Sequence, residues 1–264
     1  MPKVQIADGE IHYQEQGTGK PLIFVSGLNG VGRYWEPQVA EFSARFRVIT
    51  YDQRGTGSSD KLQHEFSVDT MASELVALMD ALDIPRADVV GLSTGGAIGQ
   101  TLAVEQPQRV RRLVVCSTWT HCDPWFRRLF EARRLLYQQC GAELHAMFHP
   151  LWLYSPDYVN AHDLQIDEDR RRAVREAPPV GVSIGRIDAL LKFDRRADLS
   201  RITAPTLIIA SENDYITPSY FAQALAQKIP GAQLEILDGG GHSLSKTRSE
   251  LFNRLVLQFL TEPN

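Results

Sequence analysis

Apolar residues fall along the chain in short continuous runs, separated by stretches where they recur every three or four positions. The run at 21–25 (Pro-Leu-Ile-Phe-Val) is nearly all apolar, as expected of a strand buried on both faces, 205–210 reads as another buried strand, and 46–51, 87–92, 110–115 and 233–237 read as the remaining strands. Most are separated by amphipathic segments, at 34–46, 67–82, 97–105, a stretch ending at Lys228, and 247–260. The segment 67–82, for example, places Val68, Met71, Leu75, Leu78 and Met79 at helical spacing, and Asp83-Ile84-Pro85 ends it. Two short alternating runs, 3–6 and 10–14, flank Asp8-Gly9 and predict a β-hairpin at the start. Regular alternation of strand and helix predicts an α/β domain whose sheet is mostly parallel, with right-handed crossovers and flanking helices.

The rhythm breaks between about 117 and 196. This stretch is rich in aromatic and basic residues at helical periods, beginning with Trp125, Phe126, Leu129, Phe130, Arg133, Arg134, Leu136 and Tyr137, and further helices are expected at 156–161, 166–177 and 182–192. The expected organisation is a core of residues 1–116 and 197–264 carrying a helical lid, 117–196. Trp119, Trp125, Phe130, Phe148, Trp152 and Tyr154 are candidates to line a pocket beneath it, against the plainer expectation that most form the interior of the lid. His121, His145, His149 and His162 show no metal-binding spacing.

The chemistry centres on Gly91-Leu92-Ser93-Thr94-Gly95. An apolar strand runs into Gly-x-Ser-x-Gly and directly on into a helix-forming segment, the context a nucleophile elbow requires. A serine hydroxyl attacks a carbonyl only if it stands clear of the backbone in a tight turn, and Gly91 and Gly95 allow the chain to cross itself there. The loop Ser26-Gly27-Leu28-Asn29-Gly30, which follows the third strand, and the residue after the serine are the two places for oxyanion donors, assigned to the backbone N–H groups of Leu28 and Thr94. Asp214 lies in the loop after the strand at 205–210, and His242 in the glycine-rich loop after 233–237. Ser93, Asp214 and His242 therefore all fall at the C-terminal ends of strands, where open α/β sheets place their sites. Glu212 is the competing acid in the same loop. The turn Asp52-Gln53-Arg54-Gly55-Thr56-Gly57-Ser58-Ser59 lacks a P-loop lysine and reads as structural, with Asp52 and Arg54 hydrogen-bonded within loops.

Composition narrows the partners. A formal net charge of −4 argues against nucleic acid or an acidic membrane surface and leaves a small molecule as the expected ligand. The segment from Met1 to Asp8 contains no apolar stretch of signal-peptide length and no run is long enough to span a membrane, so the expected location is the cytoplasm. Three cysteines, Cys116, Cys122 and Cys140, lack CxxC pairing and read as free thiols. No cofactor or metal is expected, and oligomeric state is open.

The order Ser93, Asp214, His242 is that of the α/β-hydrolase triad, and from Gly9 to Leu260 the sequence resembles that superfamily. The elbow Gly91-Leu92-Ser93-Thr94-Gly95-Gly96-Ala97-Ile98-Gly99-Gln100 is similar to that of 3-oxoadipate enol-lactonases. Ser26-Gly27-Leu28-Asn29-Gly30 with Tyr34-Trp35, Tyr51-Asp52-Gln53-Arg54-Gly55-Thr56-Gly57, Arg134-Leu135-Leu136-Tyr137 and Leu153-Tyr154-Ser155-Pro156-Asp157-Tyr158 resemble the aminoacrylate hydrolases of pyrimidine breakdown. Some of that second group lack a serine at the elbow, so Ser93 is a departure toward ordinary serine-hydrolase chemistry. The resemblance implies hydrolysis of an ester, lactone or amide bond in a small metabolite bearing a carboxylate. C–C bond hydrolysis, cofactor-free perhydrolysis and ligand sensing without turnover remain open on the same residues. The implied acid needs a cationic partner, for which Arg186, set in an apolar helical pattern, comes first, followed by Arg133 and Arg134. The competing expectation is that these arginines pair with Asp188, Glu131 or Asp167, or face water.

Overall fold

The computed structural model describes residues 2–7, 9–61 and 65–262. Eight strands form one sheet: β1 (Lys3–Ile6), β2 (Gly9–Gln16), β3 (Lys20–Val25), β4 (Phe46–Tyr51), β5 (Ala87–Leu92), β6 (Val110–Cys116), β7 (Thr206–Ser211) and β8 (Gln233–Leu237), in the order β1-β2-β4-β3-β5-β6-β7-β8. The strands β4 to β8 and β3 pair in parallel, and the hairpin β1–β2 adds an antiparallel edge. Asp8, at the expected hairpin turn, lies outside the described residues. Each strand expected from the apolar runs is present.

Alternation along the strands divides the core into two layers. Leu22 and Phe24 pack on one face with Trp35, Phe42, Phe252 and Val256, from helices α1 (Glu36–Phe42) and α10 (Ser249–Thr261) and the 3₁₀ turn before α1. Ile23 and Val25 point the other way, onto Met71, Leu75, Leu102 and Leu225 of α2 (Val68–Ala81), α3 (Thr94–Glu105) and α8 (Tyr220–Lys228). Fully burying each such side chain contributes roughly 1.5–3 kcal/mol, so both helical layers are pinned to the sheet. The Ser67 hydroxyl and Thr70 make a reciprocal cap that starts α2. The helix expected at 34–46 is shorter because Pro37 sets its first turn and Ser43 ends it before β4 begins. The final expected helix, 247–260, is α10, which begins after the non-helical backbone of Arg248; a short α9 (Leu244–Thr247) precedes it.

Between β6 and β7 come four helices: α4 (Pro124–Leu153), α5 (Pro156–Ala161), α6 (Asp163–Arg175) and α7 (Val180–Lys192). The α4 helix runs well past the segment that the aromatic spacing marks, with a break at Gly141, whose φ of 71° only glycine adopts readily. Among the described residues, no helix is long and apolar enough to cross a membrane. The thiols of Cys116, Cys122 and Cys140 are free. Asp52 is consumed within its turn, accepting from the Gly32 and Ser58 N–H groups and facing His12 Nδ1 at 3.0 Å.

Candidate active site

The topology reverses direction between β3 and β5, which are neighbours in the sheet, so the loops leaving their C-terminal ends lie side by side. Ser93 occupies the turn between β5 and α3 with φ 53° and ψ −116°, a conformation that costs a non-glycine residue roughly 1–3 kcal/mol. Its backbone bonds sustain it. Ser93 N–H donates to Cys116 O at 2.9 Å, and Ser93 O accepts from Gly96 N–H, Ala97 N–H and the Thr118 hydroxyl. A Cβ on Gly91 would strike the Gly95 carbonyl, and one on Gly95 would strike the carbonyl of Val25, so both elbow glycines are sterically required. The Ser93 side chain caps nothing and lines a cavity of about 450 Å³ between the sheet edge and the helical insertion.

His242 lines the same cavity, carried on the loop after β8. Its Nδ1 faces both oxygens of Asp214, at 3.1 Å from Oδ1 and 2.9 Å from Oδ2. Asp214 also accepts from Ile216 N–H, Thr217 N–H and the Thr217 hydroxyl, which fixes the carboxylate plane. With Nδ1 committed to the acid, the neutral imidazole carries its lone pair on Nε2. Glu212, the competing acid, is exposed and takes no part. The His242 loop is tied to the insertion, because Ser243 N–H donates to Leu153 O at 3.1 Å. A Cβ on Gly241 would lie 2.8 Å from that same carbonyl.

The loop after β3 stands against the serine. A Cβ on Gly27 would sit 3.4 Å from Ser93 Cβ and 3.8 Å from Oγ. Leu28 lines the cavity, Thr94 opens α3, and among the described residues neither backbone N–H has a protein acceptor. Two unsatisfied donors beside a serine are what an oxyanion site needs.

The five candidate substrate contacts separate cleanly. Arg133 lines the cavity and is only 3% exposed; its guanidinium lies over the rings of Phe130 and Trp152 at 4.8 and 4.9 Å, and Nη2 donates to His149 Nε2 at 3.4 Å. Among the described residues no carboxylate pairs with it, and its Nε lacks a partner. Burial pushes its pKa down to about 10, so it stays protonated near neutral pH. The others are corrections. Arg186 is fully buried away from the cavity, donating to Arg54 O at 3.0 Å and to Gln53 Oε1. Arg134 pairs with Asp188 at 2.7 Å, as the competing expectation had it. Trp119 is interior, stacked on Phe126 at 4.6 Å, and Trp125 is 46% exposed with its Nε1–H on Tyr215 O. Helical periodicity put Trp125, Arg133, Arg134 and Arg186 on the right helices, but it does not tell which face of an insertion meets the cavity.

His149 is a cavity residue that the sequence reading passed over, because it sought metal-ligand spacing and found none. The available signal was local: His145, His149 and Trp152 are spaced by four and three residues, one face of the helical segment that follows the break at Gly141. Tyr137 stacks on His145 at 4.0 Å, and His145 lies 5.2 Å from His149. Burial, reinforced by Arg133 and His242, pushes His149 down to about 3, and burial lowers His145 as well. Folded pKa values below the ordinary histidine value mean that this contribution to stability is complete above about pH 6.5 and is lost as pH falls toward 3. Thermal melts should show a constant Tm from about pH 7 to 8 and a decline below about 6, at up to roughly 1.4 kcal/mol per pH unit for each histidine. His149→Gln should make the decline shallower, and a wild-type Tm independent of acid pH would contradict this assignment.

An eight-stranded, mostly parallel sheet with these three side chains at its C-terminal edge defines an α/β-hydrolase. The chain belongs to that family: residues 20–248 match the family model for the alpha/beta hydrolase fold, and the protein is an enzyme of that fold. It is 34% identical over 262 residues, 99% of each chain, to RutD of Azorhizobium caulinodans, a protein named for an inferred carbamate hydrolase activity. RutD of Caulobacter sp. (strain K31) is 37% identical over 253 residues, covering 96% of this chain and 94% of its own. Among solved structures, the enol-lactonase from Burkholderia xenovorans LB400 superposes with a TM-score of 0.92 at 27% identity, over 99% of this chain and 100% of its own.

Proposed function

We propose that the protein is a serine hydrolase that opens an ester, lactone or amide bond in a small carboxylate-bearing metabolite. The observation that carries this reading is the placement of a buried, carboxylate-free Arg133 in the cavity that Ser93 and the Asp214–His242 pair also line. An unpaired buried cation is costly, and a substrate carboxylate that accepts two parallel N–H bonds would relieve that cost. The names of the relatives, a carbamate hydrolase and an enol-lactonase, point to the same bond-breaking chemistry.

In the proposed cycle Ser93 Oγ attacks the carbonyl carbon while His242 Nε2 takes its proton, and Asp214 remains ionised and stabilises the imidazolium. The negative charge that develops on the carbonyl oxygen is met by the N–H groups of Leu28 and Thr94. Collapse breaks the bond to the leaving group, which takes the proton from His242 and departs, leaving an ester on Ser93. Water then attacks that ester and gives its proton to His242, which passes it to the departing Ser93 Oγ as the acid is released, restoring both residues. Residues 117–196 act as a lid. The α6 helix forms part of the cavity wall and is fastened to the core by ion pairs from Lys246 to Asp169, at 2.7 Å, and from Arg33 to Glu176 just beyond its end.

A pH-stat screen of carboxylate-bearing lactones and esters tests the reading. Acid release should depend on the protein, stop after treatment with a fluorophosphonate and continue undiminished in EDTA. No acid release across the panel, or a rate abolished by EDTA, would count against it.

A further inference from the structure

Arg186 presents a puzzle, since a fully buried guanidinium on α7 is expensive and it does not reach the cavity. Its contacts lead to the loop that carries Leu28. Nη2 donates to Gln53 Oε1 and Nη1 to Arg54 O at 3.0 Å, with Phe66 stacked at 5.7 Å from the guanidinium carbon. A guanidinium only donates, so the atom that Gln53 turns toward it has to be oxygen. The amide nitrogen is thereby aimed the other way, where Nε2 donates to Ser26 O at 2.7 Å. Gln53 N–H also donates to Gly30 O at 3.1 Å, and the Thr56 hydroxyl donates to the same carbonyl at 2.7 Å. Both ends of the Ser26–Gly30 loop are thus fixed by the Gln53 turn. A Cβ on Gly30 would lie 3.0 Å from Gln53 Nε2, so the amide sits inside the bend of the loop.

The insertion grips the loop from a second side. Asn29 adopts a left-handed φ of 55°, and its Nδ2 donates to Tyr137 OH of α4 at 3.3 Å, with Ser183 Oγ of α7 at 3.5 Å. Leu28 lies between these two anchor points.

On the serine-hydrolase reading above, we infer that Arg186 is a positioning residue for the oxyanion site. By orienting Gln53 it holds the Ser26 carbonyl, and with it the Leu28 N–H, where the developing oxyanion needs a donor. The positive charge also polarises the Gln53 amide, which strengthens the bond to Ser26 O. Docking of α7 and completion of the oxyanion site are therefore one event, and a lid helix that is correctly folded but undocked leaves the serine without its Leu28 donor.

The test compares wild-type protein with Arg186→Met, Arg186→Lys and Gln53→Glu, using p-nitrophenyl acetate for kcat and KM and an alkyl trifluoromethyl ketone as a reversible tetrahedral adduct on Ser93. Gln53→Glu keeps an acceptor for Arg186, so α7 stays docked, but it sets a carboxylate oxygen against Ser26 O. Arg186→Met and Gln53→Glu should each lower kcat by about 10- to 100-fold, leave KM within about twofold, and weaken the ketone in proportion. Arg186→Lys, which retains a donor for Gln53, should recover part of the loss. If Arg186→Met does not fold, Gln53→Glu decides alone. Folded variants whose kcat and ketone affinity stay within about twofold of wild type, or whose loss lies wholly in KM, would overturn the inference while leaving the hydrolase reading intact. Wild-type protein that neither cleaves the ester nor binds the ketone would overturn both.

Discussion

Ser93→Ala should lose on the order of 10³-fold or more in kcat and keep its fold. The loss is large because the covalent route disappears, leaving only whatever the oxyanion donors and the binding groups give to direct attack by water. The fold survives because the Ser93 hydroxyl caps no helix, and the bonds that hold the strained turn run through its backbone N–H and carbonyl. Alanine inherits the same φ of 53° and the same strain. His242→Ala should be as damaging, and the double variant scarcely worse than either, since serine and histidine act as a unit. Gly95→Ala makes the opposite contrast: its Cβ would collide with the carbonyl of Val25, so it should fail to fold stably and not merely slow down. Steady-state rates on one substrate, together with thermal melts, separate the two classes of variant. A Ser93→Ala rate within about tenfold of wild type would remove the nucleophile from the mechanism.

The second large effect is expected at Arg133. Replacement by leucine should lower kcat/KM for an acidic substrate by about 10- to 100-fold and leave its neutral methyl ester nearly unaffected, as loss of a charge-assisted hydrogen bond worth about 1.5–3 kcal/mol requires. Stability should hold or rise, because a desolvated cation without a carboxylate partner gives way to an apolar side chain between Phe130 and Trp152. Since Arg133 is pushed down only to about 10 and His149 lies near 3, neither group changes charge between about pH 5 and 8, and the preference for the acid should be constant over that window. Equal losses on acid and ester would make Arg133 a packing residue of the insertion.

The sequence was most informative where geometry leaves few choices. Strands buried on both faces show as apolar runs, and Gly91, Ser93 and Gly95 form a motif because the backbone crosses itself there. Asp214 and His242 could be placed because loops after parallel strands converge on one edge of the sheet. Within the insertion the logic weakens, since an arginine inside an apolar helical pattern is equally compatible with substrate and with a buried structural partner. Arg186 is the example: its partners Gln53 and Arg54 lie more than a hundred residues away in the chain, and no local pattern announces them. Arg133 differs from its neighbour Arg134 only by the hundred-degree step of a helix, which sends one into the cavity and the other to Asp188. The later half of α4 escaped notice because Gly141 breaks the period and the residues after it mix exposed Met147, Phe148 and Leu151 with buried His145 and Ala146.

The proposed role of Ser93 as nucleophile is open to direct measurement, since a fluorophosphonate loses fluoride and phosphonylates an activated serine. Intact-mass analysis after exposure to an alkyl fluorophosphonate should show a single adduct, mapped by peptide digestion to the segment containing Ser93. The adduct should be absent in Ser93→Ala and form at least about a hundredfold more slowly in His242→Ala, where the general base is gone. An unmodified wild-type protein, or an adduct that maps elsewhere and persists in Ser93→Ala, would contradict the assignment of Ser93 as the nucleophile.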